Sequence, residues 1–283
     1  MKVVVVGGTG TVGRPAVAEL ARRAHEVVML SRHGGGPTMN AEGTDGGPLV
    51  GVRGDVTSNA GLEEALDGAD AVVDASNIIT LDEKRATDFF VGATERLLDA
   101  EASAGVQRHV LVSIVGVDRV PTGYYRAKVA QERAVEAGAS ARALRWNVLR
   151  ATQFHDFADQ MIGRLRRGPV VPMPVMSVQP VSTLDVAAAL ADAVELGTGP
   201  SGRLPEVAGP EVLSLPEMAR AVLQARGERA LVVPVPLPGA VGRAMRAGAL
   251  RPASGTPVRI GTTRFDDYLR ALRAQHVTEG AQA

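Results

Sequence analysis

Tyr124 and Lys128 stand four residues apart in the run Tyr124-Tyr125-Arg126-Ala127-Lys128. The chain holds only three lysines and three tyrosines in 283 residues. Random placement gives roughly 0.03 such pairs, so the spacing carries information. Arginine does nearly all the cationic work elsewhere, and a lysine here supplies a compact ammonium instead of a planar fork. On a helix, residues i and i+4 share a face. An ammonium beside a phenol lowers the phenol's pKa from about 10, which favours proton transfer near neutral pH. The same lysine can hold ribose hydroxyls. Ser113, near the end of the apolar run LVSIV, is placed to orient a substrate oxygen. Tyr125 is a rival for the proton-donor role, because positions three apart also share a helix face.

A second constellation opens the chain. Four valines, Val3 to Val6, make the apolar run of a buried parallel strand. Gly7, Gly10 and Gly13 follow at three-residue spacing, and then a helical Ala/Leu pattern from Val12 to Ala24. Strand, glycine turn and helix in this order predict a nucleotide site, the other reading being an ordinary Gly-rich strand-to-helix turn. Gly7 permits the tight turn, Gly10 the approach of a pyrophosphate, and Gly13 close packing of the helix. Thr9, Thr11, Val12 and Arg14 complete the turn, whose free N–H groups face phosphates. The second strand ends in Ser31-Arg32-His33, without the carboxylate that binds the ribose 2′-hydroxyl of NAD. Arg32 suits a 2′-phosphate instead, and Arg14 can close on the same group, so the expected cofactor is NADP(H). Ala75-Ser76-Asn77 follows the fourth strand, at the carboxyl end where open sheets bind ligands, and would run beside the cofactor's ribose.

The substrate side is less defined. Gln153, Phe154, His155 and Phe157 concentrate two of the nine aromatic residues beside a histidine. They can wall an apolar pocket with His155 as its polar contact, or begin an amphipathic helix that packs Phe inward. Met173 and Met176 would add an adaptable wall.

The elements that must position these residues alternate. Apolar runs at 26–31, 49–53, 70–75, 109–115 and 144–150 are separated by helical patterns at about 58–67, 83–104 and 123–137. That alternation predicts an α/β fold, a doubly wound parallel sheet of Rossmann type over residues 1–150. Residues 151–283 form a smaller substrate-side lobe, partly interleaved with the core sheet at 178–196. Helices are expected at 215–226, near 238–247 and at 264–274. The Pro-rich run 231–239 cannot be a central strand. The Gly-rich segment 34–48 reads as a flexible loop. Phe89 and Phe90 put either a dimer face or a core contact on the helix at 83–104, so monomer and homodimer both stay open.

Composition narrows the class. Lys plus Arg equals Asp plus Glu, 31 each, which argues against nucleic acid or an acidic membrane as partner. A small-molecule substrate is expected. No cysteine is present, so disulfides, thiolate metal sites and Cys nucleophiles are excluded. The five histidines show no metal-ligand spacing, and no metal is expected. No leader precedes the first strand and no run reaches the ~18 apolar residues of a membrane span, so a cytoplasmic location is expected.

The glycine run Val6-Gly7-Gly8-Thr9-Gly10-Thr11-Val12-Gly13 resembles the TGxTGxxG motif of extended and atypical short-chain dehydrogenases/reductases, with Val6 in place of the first Thr. Ser113, Tyr124 and Lys128 resemble that superfamily's catalytic set. The runs YYRAKVAQE and VLRATQFHDF (148–157) are similar to the NmrA-like atypical branch, and the likeness covers about residues 1–196. The resemblance implies that Asp55 and Val56 lie at the adenine ring, although Asp55 equally suits the cap of a helix starting near Thr57 or Ser58. It places the 153–157 loop beside the nicotinamide. It implies an NADPH-dependent oxidoreductase moving hydride to or from a small carbonyl, alcohol or enone. Members of the branch also include proteins that bind dinucleotide without turnover. A non-catalytic NADP(H) sensor of a protein partner and an NAD(P)-dependent epimerase or dehydratase are therefore the alternatives.

Overall fold

The computed structural model describes residues 1–34 and 47–280; the expected loop at 34–48 lies, apart from its ends, outside them. The first elements are β1 (Lys2–Val6), α1 (Gly13–Arg22), β2 (Glu26–Ser31), β3 (Leu49–Arg53), α2 (Leu62–Leu66) and β4 (Ala71–Asp74). Next come α3 (Glu83–Ala104), β5 (Arg108–Ile114), α4 (Gly123–Ala141), β6 (Arg145–Ala151), α5 (Phe157–Leu165), β7 (Val170–Pro174), β8 (Ser177–Val178) and α6 (Thr183–Val194). The last are β9 (Gly202–Arg203), β10 (Glu206–Ala208), β11 (Leu213–Ser214), α7 (Leu215–Ala225), β12 (Leu231–Val235), α8 (Gly239–Arg246), β13 (Val258–Ile260) and α9 (Phe265–Gly280).

The chain divides into two compact units, each assembled from several segments. One comprises Met1–Ser113, Thr122–Arg150 and Val186–Pro205; the other comprises Ile114–Pro121, Ala151–Asp185 and Glu206–Ala283. In the first unit the strand order is β3-β2-β1-β4-β5-β6. The ladders from β3 through β1 and β4 to β5 are parallel. This is the doubly wound Rossmann-type order, and it reverses between β1 and β4. Val3 to Val5 are wholly buried, as a strand covered on both faces requires. Val28, Leu30, Val52, Leu62, Leu66, Leu97 and Leu98 pack with Val4 and Val6 in one apolar cluster.

Local signals set the helix starts near the chemistry. Asp82 caps α3 by accepting from the Arg85 N–H at 3.1 Å, and Gly105 ends it in the left-handed region at φ +76°. Thr122 caps α4 by accepting from the Tyr125 N–H at 3.2 Å. That cap fixes Tyr124 and Lys128 in the first turns of α4. Phe90 is fully buried against Ala86 and Ala127, with Phe89 and Tyr124 packed on the same cluster, so Phe90 serves the core.

In the second unit, β7 pairs in parallel with β12, β8 pairs antiparallel with β11, and β10 pairs in parallel with β13. Pro234 is tolerated in β12 because that strand is paired on one side only. Buried Val171, Met173, Met176, Met218 and Val222 contribute to this unit's core. No helix among the described residues is long and apolar enough to cross a membrane.

Candidate active site

The glycine turn sits at the carboxyl end of β1, where the strand order reverses. Gly7 has φ +73°, and a Cβ there would stand 2.9 Å from the Ala75 carbonyl oxygen. A Cβ on Gly13 would fall 2.1 Å from the Gly7 oxygen, so the start of α1 packs directly on the turn. Gly8, which the spacing argument did not single out, is required too: its Cβ would overlap the Met29 side chain at 2.3 Å. Gly10 differs. Its exposed Cβ position has a single neighbour within 4 Å, the Gly7 oxygen at 3.1 Å. Val12 is the N-cap of α1 and gives no side-chain cap, and the first turn holds no acidic residue. No protein acceptor takes the amide N–H groups of Thr11, Val12 or Gly13 among the described residues. Thr9, Thr11 and Arg14 are exposed around them. An open glycine face with donors and no carboxylate fits a pyrophosphate.

At the end of β2, the Ser31 hydroxyl donates to the Gly34 carbonyl at 2.9 Å, and Arg32 is exposed beside it. Asp55 does not cap a helix, because α2 starts only at Leu62. Its carboxylate closes a local turn, accepting from the Thr57 N–H at 2.8 Å and the Thr57 hydroxyl at 2.7 Å. These bonds, with a smaller contribution from Arg32, hold its pKa below the usual carboxylate value. Val56 is buried in the core cluster of the first unit.

Past β4, Ala75-Ser76-Asn77 meets α4. The Tyr124 hydroxyl donates to Asn77 Oδ1 at 2.8 Å. The Ser76 N–H donates to Asp74 at 2.9 Å, and the Ser76 hydroxyl is buried without a protein partner. Lys128 lies one turn beyond Tyr124 and is only 4% exposed. Its ammonium donates to the Val112 carbonyl at 2.9 Å and to Gln131 Oε1 at 2.6 Å, and sits 4.8 Å from the centre of the Phe90 ring. Burial pulls its pKa down to about 8, against the smaller opposing pull of Asp74 and Glu132. Burial pushes the Tyr125 phenol toward weaker acidity, with a smaller contribution from Tyr124.

Ser113 is buried and its hydroxyl donates to Glu132 Oε1 at 2.6 Å. Glu132 also receives Arg150, at 2.8 and 2.7 Å, and Arg203 at 3.1 Å. The structure thus joins Tyr124 to the 75–77 segment, while Lys128 and Ser113 engage partners that the YxxxK spacing did not name. Gln131 and Glu132, three and four residues after Lys128, carry the same helical periodicity and were legible on that ground.

The residues of the second unit form their own group. His155 is buried, and its ring packs on Phe265 at 5.8 Å and Tyr268 at 6.0 Å between centroids. Burial lowers its pKa, partly offset by its hydrogen bond to the Pro180 carbonyl, and its Nε2 has no protein partner. Gln153 is buried with Oε1 unpartnered; Phe154 bridges to Val181, and Phe157 begins α5. Phe265 and Tyr268 come from α9, more than 100 residues away in sequence, so no local pattern announced them.

Comparison with known proteins settles the family. The profile of a family described as NAD(P)H-binding matches residues 7–196. The chain belongs to this family. It is 30% identical over 220 residues, 76% of its length, to the (4-alkanoyl-5-oxo-2,5-dihydrofuran-3-yl)methyl phosphate reductase of Streptomyces griseus. It is 26% identical over 252 residues, 83% of its length, to the divinyl chlorophyllide a 8-vinyl-reductase of Oryza sativa subsp. indica. The matches span 70% and 61% of those two relatives. Among solved structures, MoeE5 in complex with UDP-glucose and NAD superposes with a TM-score of 0.72 at 21% identity, covering 99% of this chain and 100% of that one. This last likeness bears on the fold alone. The chain is an NAD(P)-dependent oxidoreductase of the short-chain dehydrogenase/reductase type, and its cofactor is a nicotinamide dinucleotide.

Proposed function

We propose that the protein is an NADPH-dependent reductase of small carbonyl or enone substrates, with Tyr124 as the proton donor. The observation that carries this reading is the Tyr124–Asn77 hydrogen bond of 2.8 Å at the carboxyl end of β4. It puts an ionisable hydroxyl on the segment next to the glycine turn, at the strand-order reversal where open sheets bind their ligands.

The N–H groups of Thr11, Val12 and Gly13 hold the pyrophosphate, with Gly7 and Gly10 leaving room for it. Arg32, with Arg14, takes the 2′-phosphate, and Ser31 shapes the turn beneath it. Asp55 and Val56 lie toward the adenine, and Ala75, Ser76 and Asn77 toward the ribose. Held by these residues, a nicotinamide would supply hydride chemistry. Tyr124 gives its proton to the substrate oxygen, releasing Asn77 as it does so. Lys128 supplies positive charge on the same helix and a donor for ribose. The Ser113 hydroxyl proton is held by Glu132, so in this arrangement Ser113 does not donate to the substrate carbonyl as its place near the strand end suggested. Within the second unit, Gln153, Phe154, His155 and Phe157 form a separate group, where the unpartnered His155 Nε2 and Gln153 Oε1 are acceptors for hydroxyl or N–H groups of a ligand. Both of the curated relatives described above are reductases by name, which favours the reductive direction.

A panel of small ketones, aldehydes and enones, read as loss of NADPH absorbance, tests the reading. Turnover is expected with NADPH, and Tyr124→Phe should lower it about 10²- to 10⁴-fold while cofactor affinity changes little. Tyr125→Phe is the control for the adjacent ring. Loss of activity in Tyr125→Phe with Tyr124→Phe unaffected would overturn the assignment. NADP(H)-dependent binding of a protein partner without any turnover would overturn the reductase reading.

A further inference from the structure

The buried groups around Lys128 form a directed chain. Gln131 is fully buried on α4, three residues beyond Lys128. Its carbonyl oxygen accepts from the Lys128 ammonium at 2.6 Å. Its amide nitrogen donates to Asp74 Oδ2 and to the Thr94 hydroxyl, both at 3.2 Å. The other oxygen of Asp74, a residue only 1% exposed, accepts from the Ser76 N–H at 2.9 Å. One residue further, Asn77 accepts from Tyr124. The line runs from Lys128 through Gln131 and Asp74 to Ser76 and Asn77, and returns to α4 at Tyr124.

The chemistry of the ends fixes the orientation of the carboxamide. An ammonium only donates and a carboxylate only accepts, so one amide can satisfy both in a single orientation. Reversal would set two donors against each other on one side and two acceptors on the other. A neutral linker also differs from a charged one. A glutamate at 131 would pair directly with Lys128 and face Asp74 as a like charge. The charged groups that act on Lys128 are Asp74 on β4 and Glu132 on α4, both favouring the ammonium. Asp74 also acts on the buried Glu101–His109 pair of α3 and β5. The remaining neighbours, Phe90 and Thr94 of α3 and the Val112 carbonyl of β5, are neutral.

We propose that Gln131 is a positioning residue, whose buried carboxamide orients the Lys128 ammonium and couples its charge to Asp74 and hence to the Ala75–Asn77 segment. The functional weight of this coupling rests on the proposed Tyr124–Lys128 pair, but its test does not. With three lysines in the chain, protein labelled with ¹⁵N and ¹³C in lysine gives few side-chain signals, and Lys128 can be titrated by NMR without substrate or cofactor. In the unaltered protein Lys128 should titrate near pH 8, well below Lys84. Gln131→Glu should raise that midpoint by about one to three pH units, the usual effect of an adjacent opposite charge. Asp74→Asn should move it the other way, and it remains informative if Gln131→Glu fails to fold. A Lys128 midpoint unmoved by Asp74→Asn, or by a folded Gln131→Glu, would overturn the proposal. Absence of turnover in the carbonyl panel would count against the reductase reading and leave this titration standing.

Discussion

Lys128→Met isolates the energetic consequence of burying an ammonium on α4. Burial holds the Lys128 pKa at about 8 against an ordinary 10.5, with Asp74 and Glu132 opposing part of that shift. Below pH 8 the folded and unfolded chains both keep the proton, so Lys128 adds no slope to stability. Between pH 8 and 10.5 the unfolded chain keeps a proton that the folded chain has released, and stability rises with pH. Over the two pH units from 8 to 10 this amounts to about 2–3 kcal/mol, at 1.36 kcal/mol per unit. Methionine keeps an unbranched apolar stem and cannot titrate. Urea unfolding of both proteins at pH 7, 8, 9 and 10 should give a stability difference that is flat to pH 8. Above that the unaltered protein should gain on the variant by about 2–3 kcal/mol by pH 10. Tyr125, which burial pushes toward weaker acidity, contributes to both proteins alike and drops out of the difference. Parallel stability curves across pH 8–10 would refute the burial argument.

Three further variants test the proposed cofactor cradle. Arg32→Ala should weaken NADP(H) binding roughly 10- to 100-fold, the value of one charge-assisted hydrogen bond, and leave NAD(H) nearly unchanged in calorimetric titration. Gly10→Val should abolish dinucleotide binding with an unchanged circular dichroism spectrum, because its side chain would fill the open face proposed for the pyrophosphate and its Cβ meets only the Gly7 oxygen. Gly13→Ala should lose binding together with thermal stability, since its Cβ would stand 2.1 Å from the Gly7 oxygen.

The regular parts of the fold were close to the surface of the sequence. The helix expected at 83–104 is α3 itself, and the apolar runs at 26–31 and 49–53 coincide with β2 and β3. These segments have strong periodicity and clear stops: Asp82 and Gly105 bound α3 with side-chain and left-handed caps. The short strands β9, β10 and β13 went unread, because two or three residues carry no period. The start of α2 was placed too early, since Asp55 and Thr57 satisfy each other in a turn instead of opening the helix. Helix α5 was foreseen only as an alternative to a pocket wall.

By itself the sequence determined the strand–glycine turn–helix unit at residues 2–22, since a glycine turn between an all-valine strand and a helix is local and each element needs only its neighbours. It also determined that Tyr124 and Lys128 share one helix, because i,i+4 spacing is a property of the helix alone. What those side chains do was decided by tertiary structure. The Ser113 hydroxyl is taken by Glu132, and the Lys128 ammonium by Gln131 and the Val112 carbonyl. Asp74 lies 57 positions from Gln131, and Phe265 lies 110 positions from His155. Partners at such separations are chosen by packing: a buried polar group must find its hydrogen bonds among whatever the fold brings near it, and no period in the chain encodes that choice.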